Sequence, residues 1–139
     1  MTQTIFPAPA DRAAQREIGT AVWRGFVGRC PNCGKGRMFR AYLKVVDSCP
    51  VCGEDLHHQR ADDAPPYVTM LIVGHIVVAG VVATEEVWPT SPLWLGLIVW
   101  IWLTFVLSLL LLPRVKGALV GYQWALRMHG FDGPERPAP

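Results

Sequence analysis

Two long apolar runs limit what this chain can fold into. Tyr67 to Thr84 reads YVTMLIVGHIVVAGVVAT, in which His75 is the one group that titrates near neutral pH, and Pro92 to Leu112 reads PLWLGLIVWIWLTFVLSLLLL, with no charge at all. A hydrocarbon layer of about 30 Å is crossed by roughly 20 apolar residues of helix, with roughly 17 as the lower limit, so both runs predict transmembrane helices. The first is near that limit and can extend through Glu85 to Trp88 to reach the interface. The intervening EEVWPTSP has Pro89 and Pro92 to break the helix, with Trp88 and Trp94 at interfacial depth, which predicts a tight hairpin. The competing reading, two helices buried in a globular core, would need further layers to cover them, and a chain of 139 residues has none to offer.

Charge sets the expected orientation. Of the 13 Lys and Arg residues, nine lie from Arg12 to Arg60, four lie from Arg114 to Arg136, and none lies in the hairpin loop. The positive-inside rule therefore predicts that both termini are cytoplasmic in a multi-pass protein. The first 20 residues lack the apolar core of a signal peptide, so the chain is expected to be retained whole and inserted by its first span. A formal net charge of +2 is too small to argue for nucleic acid by itself.

Every cysteine falls in one of two knuckles, Cys30-Pro-Asn-Cys33-Gly34 and Cys49-Pro-Val-Cys52-Gly53. Two CxxC pairs at this separation fit a structural Zn2+ site, in which four thiolates close a tetrahedron. A Gly after each second Cys suits a tight turn of positive φ that aims N–H groups at sulfur. Cytoplasmic thiols stay reduced, in keeping with the orientation read from Lys and Arg. A thioredoxin-like redox pair would need only one CxxC and a surrounding βαβ pattern. Between the knuckles, Met38, Phe39, Tyr42, Leu43, Val45 and Val46 suffice for a short β-hairpin but not for a core, so metal binding of order 10 kcal/mol is expected to supply most of the module's folding energy.

Other polar residues allow two readings each. His57, His58, Asp62 and Asp63 could hold a second metal, or could form a solvated juxtamembrane turn with Asp63 capping the first span. His75, deep in that span, is a candidate haem or copper ligand or proton relay; otherwise it is expected to bond Thr104 at similar depth on the partner span. Gly96, Trp100, Thr104 and Ser108 recur every four residues, a stripe suited to helix contact. Beyond Pro113, Lys116, Gln123 and Arg127 can share one face against Val115, Leu119, Tyr122, Ala125 and Leu126, as in an interfacial amphipathic helix; the same stripe could cover the ribbon or meet a partner.

The paired CPxCG knuckles, ADDAPPY, the Gly74-His75 pair in the first span and ALRMHG near the end together resemble the bacterial domain of unknown function 983 family, over about Arg29 to Phe131. The resemblance implies a small protein of the bacterial inner membrane, in a family without an established activity whose genes often neighbour those of haem-copper oxidase subunits and assembly factors. It thereby implies a role near respiratory oxidase assembly.

The expected architecture is a flexible N-terminal segment (1–22), a cytoplasmic zinc ribbon with a short β-hairpin (23–62), a two-helix transmembrane hairpin (63–112), a C-terminal amphipathic interfacial helix (113–131) and a tail (132–139). Cys30, Cys33, Cys49 and Cys52 are the expected metal ligands; His57, His58, Asp62, Asp63 and His75 are the candidates for a secondary site. Nothing assembles into an obvious catalytic site, so the expected function is that of a non-catalytic accessory protein whose partners are the bilayer and a membrane protein. The alternatives are a metal-handling or enzymatic factor built on the His/Asp cluster and His75, and a membrane-tethered nucleic-acid binder using Arg29, Lys35, Arg37, Arg40 and Lys44. In the last case positive-inside topology explains the same charges.

Overall fold

The structure, a computed structural model, describes residues 16–58 and 63–131. Helix α1 (Ile18–Phe26) comes first. It ends in a Schellman turn: Gly28 takes a φ of 76°, its N–H reaches Gly25 O at 2.8 Å, and the Arg29 N–H reaches Arg24 O at 2.8 Å. The expected flexible segment ended at residue 22, a point that lies inside this helix. Residues 18–22 are helical because Ala21 and Gly25 form a small-residue face that another helix fills.

Strands β1 (Phe39–Ala41) and β2 (Lys44–Val45) pair antiparallel across a turn at Tyr42-Leu43, with Leu43 at a φ of 61°. Phe39 pairs with Val45 and Ala41 with Lys44, so the register slips by one residue between the two pairs. Two isolated bridges, Arg29 with Arg37 and Ser48 with Asp55, close the chain around the two cysteine knuckles.

Helices α2 (Ala64–Val87) and α3 (Leu93–Ala125) are both long and apolar enough to cross a membrane. They pack against each other along part of the expected stripe: Gly96, Trp100, Thr104 and Ser108 are among the half-buried positions of α3, Thr104 and Ser108 line the groove shared with α2, and a side chain at Gly80 of α2 would collide with the Trp100 ring. The expected bond between His75 and Thr104 does not form. Each group bonds its own helix instead, His75 Nδ1 with Leu71 O at 2.7 Å and Thr104 Oγ1 donating to Trp100 O at 2.7 Å. An i−4 carbonyl lies within reach of both side chains without any cost in helix approach.

The C-terminal segment departs most from expectation. No separate interfacial helix starts at Pro113; α3 runs through it unbroken for 33 residues, about 50 Å at 1.5 Å per residue. Proline has no N–H for the carbonyl four residues back, which leaves Leu109 O without its helical donor. The Tyr42 hydroxyl, at the turn of the β-hairpin, donates to that carbonyl at 2.8 Å. The buried face also differs from the expected one. Val115, Gly117, Val120, Gly121, Trp124 and Ala125 are buried, whereas Tyr122 and Leu126 are exposed.

That face is covered by α1, antiparallel and very close. A side chain at Gly25 would strike the Gly117 carbonyl, one at Gly117 would strike the Gly25 carbonyl, and one at Gly121 would strike the Ala21 carbonyl. Ala21-x-x-x-Gly25 thus meets Gly117-x-x-x-Gly121 backbone to backbone, the small-xxx-small arrangement in which close approach replaces side-chain interdigitation. Around this seam lies the core, made of Ala21, Met38, Leu56, Val120, Trp124, Ala125 and Phe131. The residues between the knuckles do not make a core alone: Met38 and Leu56, each fully buried, are the module's own contribution, and α1, α3 and Phe131 beyond α3 supply the rest. Large side chains buried in this way each contribute about 1.5–3 kcal/mol.

At its far end α3 closes in a second Schellman turn, with Arg127 at a φ of 55°, Met128 N–H to Gln123 O at 3.0 Å and Arg127 N–H to Trp124 O at 3.2 Å. The turn brings Phe131 back into the core. Replacing Gly121 with Val should force the two backbones apart and cost roughly 3 kcal/mol, whereas Tyr42→Phe, which leaves one carbonyl unmet, should cost about 1 kcal/mol. Thermal unfolding in mild detergent, followed by Trp fluorescence, orders the two; an equal or reversed effect would show that the seam is not the tighter constraint.

Candidate metal centre

Each knuckle is a tight turn built the same way. Gly34 N–H bonds Cys30 O at 2.8 Å and Gly53 N–H bonds Cys49 O at 2.9 Å, with φ of 69° and 73° at the two glycines. Cys30 N–H is fixed on Gly36 O at 2.9 Å and Cys49 N–H on Glu54 O at 2.8 Å. These bonds turn the four sulfurs toward one point. Cys30 Sγ lies 3.7 Å from Cys52 Sγ, Cys33 Sγ lies 3.8 Å from Cys49 Sγ, and all four are within 4.8 Å of one another.

A tetrahedral zinc with Zn–S bonds of about 2.3 Å has sulfur-to-sulfur edges of about 3.8 Å. The cluster fits that ion, and each separation is nearly twice the ~2.05 Å of a disulfide. Gly36 completes the cradle, because a side chain there would occupy the place of Cys49 Sγ. Cys30 and Cys49 are buried and Cys52 is at the surface.

The thiols are not equivalent. Burial raises Cys30 far above the ordinary thiol range, against the opposing N–H groups of Cys33 and Asn32. The N–H groups of Gly36 and Lys35 lower Cys33 to about 6, and Lys35 N lies 3.5 Å from its sulfur. Desolvation raises Cys52.

Helices hold both knuckles from outside. Arg24 of α1 donates to Pro31 O at 3.2 Å and to Asn32 O at 2.7 Å. Glu54, directly after the second knuckle, accepts from Trp124 Nε1 at 2.8 Å and from Asn32 Nδ2 at 2.9 Å. Arg16 lies 3.9 Å from the same carboxylate, stacks 4.1 Å above the Trp124 ring and donates to Trp124 O at 2.7 Å. The expectations above gave no part to Glu54, Arg16 or Trp124; the Gly117/Gly121 spacing was the available signal that α3 continues into a packed interface.

The second set of candidates does not assemble as expected. His57 and His58 meet Asp55, which was not among them: His57 Nδ1 is hydrogen-bonded to Asp55 Oδ1, and His58 Nε2 lies 3.7 Å from Asp55 Oδ2. The His57 bond holds the Asp55 carboxyl below the ordinary carboxylate value. Asp63 sits at the N-cap of α2 with no side-chain capping bond, and Asp62 lies outside the described residues. His75 is exposed on α2, in an apolar surface groove with Tyr67, Met70, Leu71 and Val78.

A family model, described as protein of unknown function (DUF983), matches residues 39–124, more than half of the chain. The chain belongs to this family. The DUF983 match covers the hairpin, the second knuckle and both long helices to Trp124, and begins after the first knuckle, so it is shorter than the Arg29 to Phe131 resemblance. Neither curated proteins nor solved structures gave a match.

Cys30 and Cys52 both carry protons at neutral pH, since both thiols are raised, and both must lose them to bind metal. Each proton released adds one decade of affinity per pH unit. Co2+ affinity, followed by its thiolate charge-transfer absorption, should therefore rise by at least about two decades per unit between pH 6.5 and 8. A pH-independent affinity would mean that the sulfurs are not the ligands.

Proposed function

We propose that this chain is a non-catalytic accessory protein of the bacterial inner membrane, in which a cytoplasmic zinc ribbon is fixed to one helix of a transmembrane hairpin and presents a rigid docking face to a membrane-protein partner. The observation that carries this reading is the continuity of α3: one helix is apolar and mostly exposed from Leu93 to Leu110, then becomes the buried backbone support of the cysteine module from Val115 onward. Apolar side chains such as Leu97, Ile101, Trp102 and Phe105 are more than half exposed among the described residues, and so large an exposed patch calls for lipid or protein. The distribution of Lys and Arg supports cytoplasmic termini. Four converging thiols support zinc in a reducing compartment.

A docking role asks for rigidity and no chemistry. The groove between α2 and α3, about 400 Å³, is lined by Val73, Val77, Thr104, Ser108 and their neighbours, without a carboxylate or imidazole among its described residues. Nucleic-acid binding is less well supported. Phe39 packs against the core and the Tyr42 hydroxyl is bonded to α3, so both aromatic residues of the hairpin have a part in the fold itself rather than in a base-stacking platform.

The partner class implied by the family resemblance is a haem-copper oxidase or one of its assembly factors. Tagged protein purified in mild detergent, with mass spectrometry of co-purifying chains and elemental analysis of the same sample, tests the reading. Recovery of oxidase subunits or assembly factors with zinc at the cysteines is the expected result. Protein that extracts without detergent, or that carries no metal, would overturn it.

A further inference from the structure

Asp55, His57 and His58 bring one carboxylate and two imidazoles together just beyond the second cysteine knuckle, with their donor atoms all within 4.8 Å of one another. We infer that this cluster is a second metal site, separate from the four cysteines, which takes a divalent first-row transition ion of the zinc class and leaves its remaining positions open to solvent.

The backbone makes the cluster. Ser48 and Asp55 form an antiparallel bridge, and the N–H groups of Leu56 and His57 both reach Asp47 O, at 2.8 and 3.1 Å. Extended chain alternates its side chains, so burial of Leu56 in the core turns Asp55 and His57 outward on the same side. His58 then comes round on the following turn, its ring centroid 3.8 Å from that of His57.

Packing also aims the His58 ring. Phe131, buried in the core, meets it edge-on with centroids 6.0 Å apart and an interplanar angle of 74°. On its Nδ1 side lies Gly130, at a φ of 99°, where a side chain would come within 3.0 Å of that nitrogen. With the Nδ1 edge set against the chain, Nε2 is the atom turned toward Asp55, at 3.7 Å from Oδ2. Donors on a tetrahedral zinc, with Zn–N and Zn–O bonds of about 2.0–2.2 Å, stand roughly 3.4 Å apart. The triangle therefore closes on an ion by rotation of the half-exposed His57 and Asp55 side chains, without backbone movement.

Two nitrogens and one oxygen are borderline ligands, suited to zinc, cobalt or nickel and different in kind from four thiolates. Three protein ligands leave at least one position for water or for a donor from another molecule, whereas the cysteine tetrahedron is closed. Asp55 follows Cys52 by three residues, and the Cys49 to Glu54 backbone bond fixes the chain between them. The order of loading follows: the cysteine site forms first and sets the frame on which the second ion binds.

The test uses full-length protein in detergent, carrying a tag without histidine, with the cysteine site loaded with one equivalent of zinc. Co2+ is then added as the probe. Wild type should bind one further equivalent, seen as weak d–d absorption without a thiolate charge-transfer band. Asp55→Asn and the His57→Ala/His58→Ala pair should lower that second affinity by more than about tenfold while keeping the first zinc, which also reports that the module is folded. A second equivalent bound equally well by wild type and variants, or no second equivalent in wild type, would overturn the inference. Loss of the first zinc in wild type would instead count against the zinc ribbon, which keeps the two readings distinguishable.

Discussion

The arrangement of this chain depends on the contact of two backbones with nothing between them. Ala21 and Gly25 of α1 lie against Gly121 and Gly117 of α3, and even a methyl group at any of the three glycines would meet a carbonyl. Beside the close seam, Arg16 reaches across to Trp124, while Trp124 of α3 and Arg24 of α1 reach the cysteine module at Glu54 and at the first knuckle. A larger residue in the seam would move every one of these partners together. The cysteine module is therefore clamped from two sides, by α1, which leads directly into it, and by α3, which is distant from it in sequence.

A second constraint lies where α3 changes character. Pro113 falls between the apolar and the packed halves of the helix, and its missing N–H frees a carbonyl at Leu109 that the hairpin turn uses through Tyr42. A local defect in the helix thus becomes an attachment point for the β-hairpin. Together, the glycine seam and the tyrosine bond fix the module to α3 at two heights.

Local signals in the sequence were legible, and long-range ones were not. Apolar runs give α2 and the first half of α3 directly, since length and lack of charge leave few alternatives. Cysteine spacing and the following glycines give the knuckles, because the turn needs positive φ at Gly34 and Gly53. The four-residue stripe marks the α2-facing side of α3 from Trp100 to Ser108, whereas a side chain at its Gly96 end would meet no atom among the described residues. Reading failed at Pro113, where a helix-breaker is tolerated because a residue 71 positions earlier in the chain satisfies the freed carbonyl. It failed at α1 for a related reason: a nine-residue helix has little stability of its own, and its partner is almost one hundred residues away. Asp55 was missed as the partner of His57 and His58 because the pairing depends on the bridge to Ser48, which spacing alone does not reveal.

The unbroken α3 also has a mechanical consequence. From Pro113 to Ala125 the helix extends about 20 Å beyond its apolar portion, at 1.5 Å per residue. In the proposed membrane arrangement this extension is a lever whose fulcrum is the bilayer surface. A change of helix tilt by about 20°, within the range that bilayer thickness and neighbouring helices impose, would carry the cysteine module sideways by about 7 Å. Bilayer thickness, or the packing of a neighbouring helix, would thus be converted into the lateral position of the four-cysteine head.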